Sequence, residues 1–226
     1  MSSQQVPAGP SSERVRLRRK RERADYERET IASILDEGLL AHLGIVEDGQ
    51  PLVIPTLHAR DGEVVYCHGS SASRTLRAMA SGAPVCLTVS VLDGLVLARS
   101  AMHHSANYRS VVLLGRARLV TDSDELLHGY ETVVERIVPG RWPQVRPPTE
   151  KEMRATALLA LPIAEASAKI RTGPPLDEEE DYALPAWAGV IPLSLSAGEP
   201  QPDPRLPAGV PVPGYVAGYR RGSPRP

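Results

Sequence analysis

Three Asp-Gly pairs, at positions 48–49, 61–62 and 93–94, separate runs of apolar and β-branched residues in the first half of this chain. Asp-Gly is a preferred dipeptide of two-residue β-hairpin turns, because both positions of such a turn need positive φ. The pairs therefore predict short antiparallel strands over 39–46, 52–59, 63–68, 84–92 and 95–101, before a long sixth strand over 109–120. Strands joined in this way predict a closed antiparallel barrel, since closure leaves no strand edge unpaired.

Helices are predicted only around this barrel. Apolar residues at helical spacing indicate helices over three ranges: 25–38, 73–80 and 122–137. Thr149 and Glu152 have the spacing of a capping box, which predicts another brief helix. Residues 157–171 are expected to form a last strand or a bent pair of strands. The predicted fold class is therefore mainly β (β+α), with peripheral helices.

Composition indicates an ordinary globular protein. The chain has 226 residues, 42% of them hydrophobic, and its formal net charge of −1 gives no argument for nucleic acid or a membrane as partner. Cys67 and Cys86 are too few for a disulfide framework. The sequence contains no apolar run of about 18 residues and no signal-type leader. We therefore expect a cytoplasmic protein without a membrane-spanning segment.

The sequence divides into three regions. They are a basic N-terminal arm over 1–22, a barrel domain over 23–195, and a tail rich in proline and glycine over 196–226. We expect the arm to be disordered, and its run of arginines either contacts phosphates or an acidic partner or is simply solvated. The tail is expected to be disordered or draped over the barrel.

Two clusters of hydrogen-bond donors stand at strand ends. In the first, Ser73 and Arg74 follow a glycine and further serines and open a helix, an arrangement that either holds an anion or serves only as a helix cap. In the second, Arg109 enters a buried strand and needs a partner, because an unpaired buried charge is costly. That partner is either Glu63 or Asp61, or else the phosphate or ring edge of a flavin. Together the clusters predict a phosphate-bearing cofactor across the barrel rim.

The histidines do not predict a metal site. His103 and His104 are adjacent, so they point to opposite faces of a strand, and with Cys67 and His68 they lack zinc-ligand spacing. The acidic run over 177–181 is expected to be a solvated loop. His68 either donates to a cofactor or shuttles a proton, or it is an ordinary structural histidine. The chain lacks the sequences typical of a nucleophile elbow, a dinucleotide-binding glycine loop and a Walker loop.

Four stretches together carry a family resemblance: 48–55, 66–69, 107–117 and 187–192. They read Asp-Gly-Gln-Pro-Leu-Val-Ile-Pro, Tyr-Cys-His-Gly, Asn-Tyr-Arg-Ser-Val-Val with Gly-Arg-Ala after it, and Trp-Ala-Gly-Val-Ile-Pro. In their order and spacing, residues 14–195 resemble the pyridoxamine 5'-phosphate oxidase-related FMN-binding split barrels, and among them the nitroimidazole-resistance reductase-like branch. The resemblance implies a six-stranded antiparallel Greek-key split barrel and a homodimer, with one FMN in each of two interface clefts.

The resemblance also implies where FMN is held. The strand over 53–58 would lie against the isoalloxazine ring, and Ser73 and Arg74 match the phosphate clamp of the oxidases. His68 matches a histidine implicated near the flavin in the nitroimidazole-resistance relatives, which makes it the candidate catalytic residue. The expected cofactor-binding residues are Pro55, Thr56, Tyr66, Cys67, His68, Ser73, Arg74, Asn107, Tyr108, Arg109, Ser110 and Trp187.

The chain also departs from the true oxidases. Thr75 stands where their clamp has lysine, and Pro55-Thr56-Leu57-His58 stands where their basic strand ends in Leu-Leu-Lys. Their C-terminal Arg-x-x-Arg-Leu-x-Pro ending is not in its usual place, so binding of the vitamin substrate is not expected. We expect an FMN-dependent oxidoreductase that takes hydride from NAD(P)H and acts on a small organic substrate. The alternatives are a non-catalytic FMN- or haem-binding barrel, with His103 or His104 as axial ligand, and a deazaflavin-dependent reductase.

Overall fold

A computed structural model describes residues 9–220 and shows one antiparallel sheet flanked by helices. The strands are β1 (Ala24–Asp25), β2 (Leu40–Glu47), β3 (Gln50–Asp61), β4 (Val64–Ser70), β5 (Pro84–Leu97), β6 (Ser105–Arg116), β7 (Arg118–Leu119), β8 (Thr156–Pro162), β9 (Glu165–Arg171) and β10 (Gly189–Pro192). The helices are α1 (Arg28–Glu37), α2 (Arg74–Ala80), α3 (Ser123–Ile137), α4 (Glu150–Ala155) and α5 (Gly214–Ala217).

The sheet curls into a split barrel. Pairing runs in the order β1-β9-β6-β5-β2-β3-β4-β8-β7, with β10 added to β5. β8 and β9 thus stand near opposite ends of this path, yet only Ile163 and Ala164 separate them in the chain. Because so short a link keeps the two strands close together, the sheet must curl round on itself, and no ladder joins β8 to β9 within residues 9–220. The prediction of a mainly β split barrel is confirmed, although the sheet has more strands than the six expected.

The predicted hairpin at Asp93-Gly94 is wrong. β5 continues through both residues as one strand, with a shift in its register against β6 at this point. Gly94 also pairs with β10, and a Cβ at Gly94 would lie 3.0 Å from the carbonyl oxygen of Ile191. Gly94 therefore does not form a turn. Its lack of a side chain lets the backbone of β10 approach β5 closely at a β-bulge. The pairs at 48–49 and 61–62 do connect strands as predicted.

Two apolar layers hold the fold together. The first fills the barrel with inward-facing residues of its strands, and α1 adds Ile31, Ile34 and Leu35 to it. The second lies between α3 and the outer face of β4 and β8, where it includes Val133 and Leu158. Because the chain has no Phe, aliphatic side chains make up most of both layers. α3 consequently covers part of the barrel wall, and its edge borders the site described below.

The described part of the N-terminal arm packs on the barrel. Val15 is buried, and the backbone N–H of Leu17 donates to the hydroxyl of Tyr26 over 2.9 Å. Arg14 pairs with Glu165 of β9, and β1 extends the sheet beside the same strand. The expectation of a disordered arm over 1–22 is therefore wrong for residues 9–22, and residues 1–8 lie outside the described residues.

The described part of the C-terminal tail is draped over the outside of the fold. Its residues 196–213 are exposed, and Arg141 donates to the hydroxyl of Tyr215 over 2.9 Å. Residues 221–226 lie outside the described residues. Among residues 9–220, no helix combines the length and the apolar character that crossing a bilayer requires.

Candidate functional site

Side chains of β4 alternate between the barrel interior and its outer face. Val65 and Cys67 belong to the barrel core, whereas Tyr66 belongs to the apolar layer beneath α3. His68 also lies on this outer side, where it meets residues of α3. Because the side chains of a strand repeat every two residues, Cys67 and His68 cannot both face one cofactor.

A cleft of about 430 Å³ opens beside His68. We call it the His68 cleft. Helix α3 forms one wall, and the segment between α3 and α4 forms the opposite one. The lining residues are His68, Tyr130, Val133, Val134, Trp142, Val145, Arg146, Pro148, Glu152 and Thr156. Most of these side chains are apolar, so the cleft suits a largely apolar ligand with few polar groups.

Hydrogen bonds from α3 and α4 fix the wall that contains Trp142. The carboxylate of Glu135, on α3, accepts from the backbone N–H groups of Gly140 and Trp142, each over 2.6 Å. Thr149 and Glu152 form the capping box that the sequence predicts for α4. Arg146 pairs with Glu152 over 2.6 Å. The segment is therefore held at both of its ends, and the cleft is a formed feature of the fold.

The imidazole of His68 is partly shielded from solvent, and one of its ring nitrogens lacks a hydrogen-bond partner in the described part of the chain. Its Nδ1 is closed off from solvent and has no hydrogen-bond partner within residues 9–220. Burial lowers the pKa of His68 below its usual value of 6.5, so the ring is neutral at neutral pH. A neutral imidazole with an unused ring nitrogen is able to bind a metal ion or to accept a proton.

The polar groups of the cleft lie at its more exposed end. Arg146 and Glu152 retain 66% and 49% of their side-chain exposure. Hydrogen bonds from Arg146, and then from Thr149, hold the pKa of Glu152 well below its usual range. The hydroxyl of Tyr130 instead donates to the Thr156 carbonyl over 3.2 Å and is not offered to a ligand. Arg146 is thus the cation in this cleft that an acidic ligand group can reach. Its ion pair with Glu152 fixes the guanidinium but leaves it exposed.

Of the other β4 residues expected to border the cofactor, Cys67 is excluded. Its thiol lies in the barrel core, and burial raises its pKa to about 12. The prediction for Cys67 is wrong because the strand turns this side chain inward. Tyr66 is on the outer side, but its hydroxyl donates to Glu125 over 3.0 Å, and burial is the main cause that raises its pKa to about 12.

β3 presents alternate residues toward the expected flavin. Pro55 is exposed on the outer face, whereas Thr56 is half-buried and its hydroxyl bonds to the Leu57 carbonyl. His58, at the end of the stretch expected to face the ring, is buried, and its Nε2 lies 2.9 Å from the Leu35 carbonyl oxygen of α1. Only part of that stretch is therefore available to a ligand.

The expected phosphate clamp serves structural roles in this state. Ser73 is the N-cap of α2 and accepts from the N–H of Leu76. Arg74 pairs with Glu47 over 2.6 Å while remaining 65% exposed. The helix-cap interpretation of Ser73 is thus confirmed, and an anion at this corner would share or displace the contact between Arg74 and Glu47.

Arg109 has protein partners instead of needing a ligand. Its guanidinium donates to both carboxylate oxygens of Asp93 and of Glu37. The structure therefore favours the alternative of an internal ion pair over the cofactor contact expected for Arg109, but the partners expected for the ion pair are wrong. Glu63 pairs with Arg28 over 3.4 Å, and Asp61 pairs with His128 over 2.7 Å.

The other rim residues are also engaged within the protein. The side chain of Asn107 is buried between the Gly173 carbonyl, to which it donates over 3.1 Å, and the Arg171 guanidinium, from which it accepts. The Ser110 hydroxyl donates to the Lys169 carbonyl over 3.3 Å. Tyr108 is half-buried on β6, and Trp187 is 69% exposed beside Gly189. The structure does not bring these four residues into the His68 cleft.

His103 and His104 lie apart from the cleft as well. Nδ1 of His103 is 3.8 Å from an oxygen of Asp177, and these two residues with Asp181 have ligand atoms within 4.8 Å of one another. Asp177 is not the solvated residue expected, because its side chain is fully buried and accepts from Arg99 and from the N–H of Ser100. Those bonds occupy both of its oxygens, so this group does not resemble an open metal site.

The sheet leaves an apolar patch uncovered on its outer side. Register places Leu40 opposite Leu57, and Val53 opposite Gly44, so the side chains of these three large residues lie on one face of β2 and β3. The exposed apolar residues of this open sheet face are Leu40, Val46, Val53, Leu57 and Leu92. Val46 and Val53 are more than 60% exposed. A contiguous apolar patch of this kind is more often a binding surface than a sheet face that stays in contact with solvent.

Sequence reasoning missed Tyr130, Trp142 and Arg146. Trp142 is recognisable as the aromatic residue of a proline-rich segment, but nothing local indicates that this segment folds back over β4. Its position depends on the hydrogen bonds of Glu135 and on the capping box of α4, whose partners are near in the chain. It also depends on the packing of α3 against the barrel strands, whose partners are distant in the chain.

Comparison with known proteins gives a family and two similar structures of nearly full length. The model of the pyridoxamine 5'-phosphate oxidase family matches residues 27–170. The flavocytochrome Anf3 from Azotobacter vinelandii is 47% identical, with a TM-score of 0.90 over 95% of this chain and 100% of that one. An FAD and heme binding protein from Mycobacterium smegmatis is 38% identical, with a TM-score of 0.84 over 88% of this chain and 98% of that one.

A more distant structure shares the fold. It is a protein assigned to 5-nitroimidazole antibiotic resistance from Bacteroides thetaiotaomicron, 18% identical, with a TM-score of 0.56 over 65% of this chain and 86% of that one. No curated protein gives a significant match to this chain.

Proposed function

This chain belongs to the pyridoxamine 5'-phosphate oxidase family, and we propose that it is a redox protein that binds a flavin and a haem. The names of the two similar structures of nearly full length, a flavocytochrome and an FAD and heme binding protein, support the proposal. The observation that carries it is the His68 cleft, where a neutral imidazole with an unpartnered ring nitrogen borders apolar walls.

The residues of the His68 cleft fit a haem. Neutral imidazole is the form that binds haem iron, and the lowered pKa of His68 favours that form. Val133, Val134 and Trp142 supply apolar contact for a flat macrocycle, and Arg146 supplies a cation for its carboxylate groups. We therefore propose that His68, and not His103 or His104, would bind the haem iron.

The flavin is proposed to lie outside this cleft, along β3 and the start of α2. Pro55 is exposed there, and Arg74 projects into solvent beside Ser73. The Arg74 guanidinium would bind a phosphate group in exchange for part of its contact with Glu47. FMN is the flavin that the family resemblance implies, and FAD is the one named for the M. smegmatis protein. Mass spectrometry of the released cofactor distinguishes them.

The cofactors, when bound, supply hydride and one-electron chemistry, and the protein supplies their environment. The α3 wall and the Trp142 wall limit the access of water to the inner end of the cleft. His68 remains unprotonated at neutral pH, because burial disfavours its charged form. NAD(P)H as hydride donor and a small organic molecule as acceptor complete the proposal for turnover.

A homodimer is proposed to cover the open sheet face. The patch consists of large aliphatic side chains on adjacent strands, and a second copy of the same chain offers an equal apolar surface. Analytical ultracentrifugation of the wild type and of Val53→Asp tests this. A dimer that Val53→Asp converts to a folded monomer supports the interface, whereas a monomeric wild type contradicts it.

The visible spectrum of the purified protein tests the cofactor proposal. We expect flavin bands together with a Soret band in the wild type. His68→Ala should lose the Soret band and keep the flavin, whereas His104→Ala, which changes an exposed histidine, should keep both. A haem that survives in His68→Ala would contradict the ligand, and a protein that takes up neither cofactor on reconstitution would contradict the function.

A further inference from the structure

A cluster of positive charge stands at the edge of the barrel beside β9. Residues 18–23 contain five cations and one carboxylate, Glu22, in a chain whose net charge is −1. We call this segment the basic turn. Its cations are Arg18, Arg19, Lys20, Arg21 and Arg23, of which all but the half-buried Arg23 are exposed.

The basic turn has a defined conformation. Lys20 has a φ of 57° and a left-handed backbone, and its carbonyl accepts from the N–H of Arg23 over 3.0 Å. Buried Val15 anchors the chain before the turn, and the pairing of Ala24 with Lys169 of β9 anchors it afterwards. The positive charges are therefore displayed at a set place on the surface and do not belong to a free arm.

Nearby carboxylates are turned to other partners. Glu13 pairs with Arg16 over 2.8 Å, and Glu165 pairs with Arg14 over 2.8 Å. The carboxylate of Asp25 accepts from the N–H of Glu27 and from the Thr30 hydroxyl at the start of α1. Glu13, Glu165 and Asp25 thus have their closest contacts with groups outside the basic turn, and Glu13 attracts Arg18 only at longer range. A concentrated positive charge that is only partly neutralised favours an acidic partner.

We propose that the basic turn is the docking site of an acidic one-electron carrier protein that reduces the bound cofactors. This inference rests on the proposed function and adds to NAD(P)H, the proposed hydride donor, a partner that supplies electrons one at a time, as a haem accepts them. Small interfaces governed by charge are typical of transient electron-transfer complexes. The turn also lies beside β9, whose Lys169 pairs with Ser110 of β6.

Nucleic acid is the less favoured partner. The basic turn has no aromatic side chain for stacking on bases, and the hydroxyl of neighbouring Tyr26 is already bonded to the N–H of Leu17. In the proposed step, one electron passes from the reduced carrier to the bound flavin or haem, so the carrier is oxidised by one electron. No bond forms or breaks in this transfer.

The test is stopped-flow reduction of the cofactor-loaded protein by a reduced acidic [2Fe–2S] ferredoxin at several salt concentrations. The variant Arg18→Glu with Arg19→Glu reverses two exposed charges of the basic turn. Its matched control is Arg205→Glu with Arg220→Glu, the same charge change in the exposed tail. At low salt we expect the basic-turn variant to be reduced at least about tenfold more slowly than the control, because charge steering raises association rates by such factors. This difference should shrink at high salt.

Separate measurements distinguish this inference from the proposed function. The spectrum and the rate of reduction by dithionite report the cofactors, and both should be the same in the two variants. Calorimetric titration with oxidised ferredoxin reports docking whatever the cofactor content. Equal rates in variant and control, or a wild type that ferredoxin neither binds nor reduces, would overturn the inference. Tight binding of a DNA oligonucleotide that is lost only in the basic-turn variant, with an unchanged ferredoxin rate, would also overturn it.

Discussion

Replacing Arg109 by methionine tests whether this residue serves the fold or the ligand. The side chain bridges Glu37 of α1 and Asp93 of β5, so Arg109→Met leaves two carboxylates close together without their shared cation. Removing one partner from a fully buried ion pair costs about 3–5 kcal/mol, and an exposed pair contributes only about 0–1 kcal/mol. The three side chains here are 28–35% exposed, which places the expected loss between these limits, at about 2 kcal/mol.

Urea unfolding at neutral pH measures this loss, and titration with flavin measures the ligand contact. Arg109→Met should lower the free energy of unfolding by about 2 kcal/mol while leaving flavin affinity within about twofold, on the reasoning above. Adding Asp93→Asn should recover part of the stability, because it removes one of the two carboxylates that lose Arg109. Arg116→Met, on the same strand but exposed, is the matched control. Unchanged stability together with a tenfold or greater loss of flavin affinity would refute the reasoning from the ion pairs.

The remaining predictions concern buried titratable groups. Cys67 should stay unreactive toward a thiol reagent in the native protein and react only on unfolding, because burial raises its pKa to about 12; rapid native labelling of Cys67 in a Cys86→Ala variant would contradict its place in the core. Burial also lowers the pKa of His58 below its usual 6.5, so its stabilising effect is present above that pH. The free energy of unfolding should fall as the pH drops below about 6.5, by up to about 1.4 kcal/mol per pH unit for this group. His58→Gln should flatten that slope, and an unchanged slope in urea titrations would contradict it.

The sequence predicted the fold better than it predicted the site, and particular residues show why. Turns and caps depend on neighbours in the chain, so Asp48-Gly49 and the capping box of Thr149 appear in the structure as predicted. Asp93-Gly94 fails because β10, which comes about a hundred residues later, pairs across it. A local signal cannot reveal that a distant strand uses the glycine for close approach.

Arg109 shows the same limit for charges. Its need for a partner follows from strand burial alone, but the partners depend on which elements the topology brings together. Glu37 precedes it by 72 residues and Asp93 by 16, on α1 and β5 respectively. The carboxylates proposed from sequence, on β3 and in the turn before β4, are on the opposite side of β2 in the sheet order.

Cys67 and His68 differ from Arg109 in this respect. The sequence alone was enough to predict that their side chains lie on opposite faces of the strand. Adjacent residues of a strand face opposite sides, so an inward Cys67 requires an outward His68 and excludes a cofactor that touches both. The same alternation explains how one strand serves two purposes here. Its inward residues join the aliphatic core that stabilises the barrel, and the outward His68 is left under the edge of α3, where partial burial keeps the imidazole neutral without enclosing it. The histidine proposed as the haem ligand thus owes its place to the ordinary pleat of β4 and its neutral form to partial burial under α3, a helix that also packs on the barrel through Val133 and Leu158.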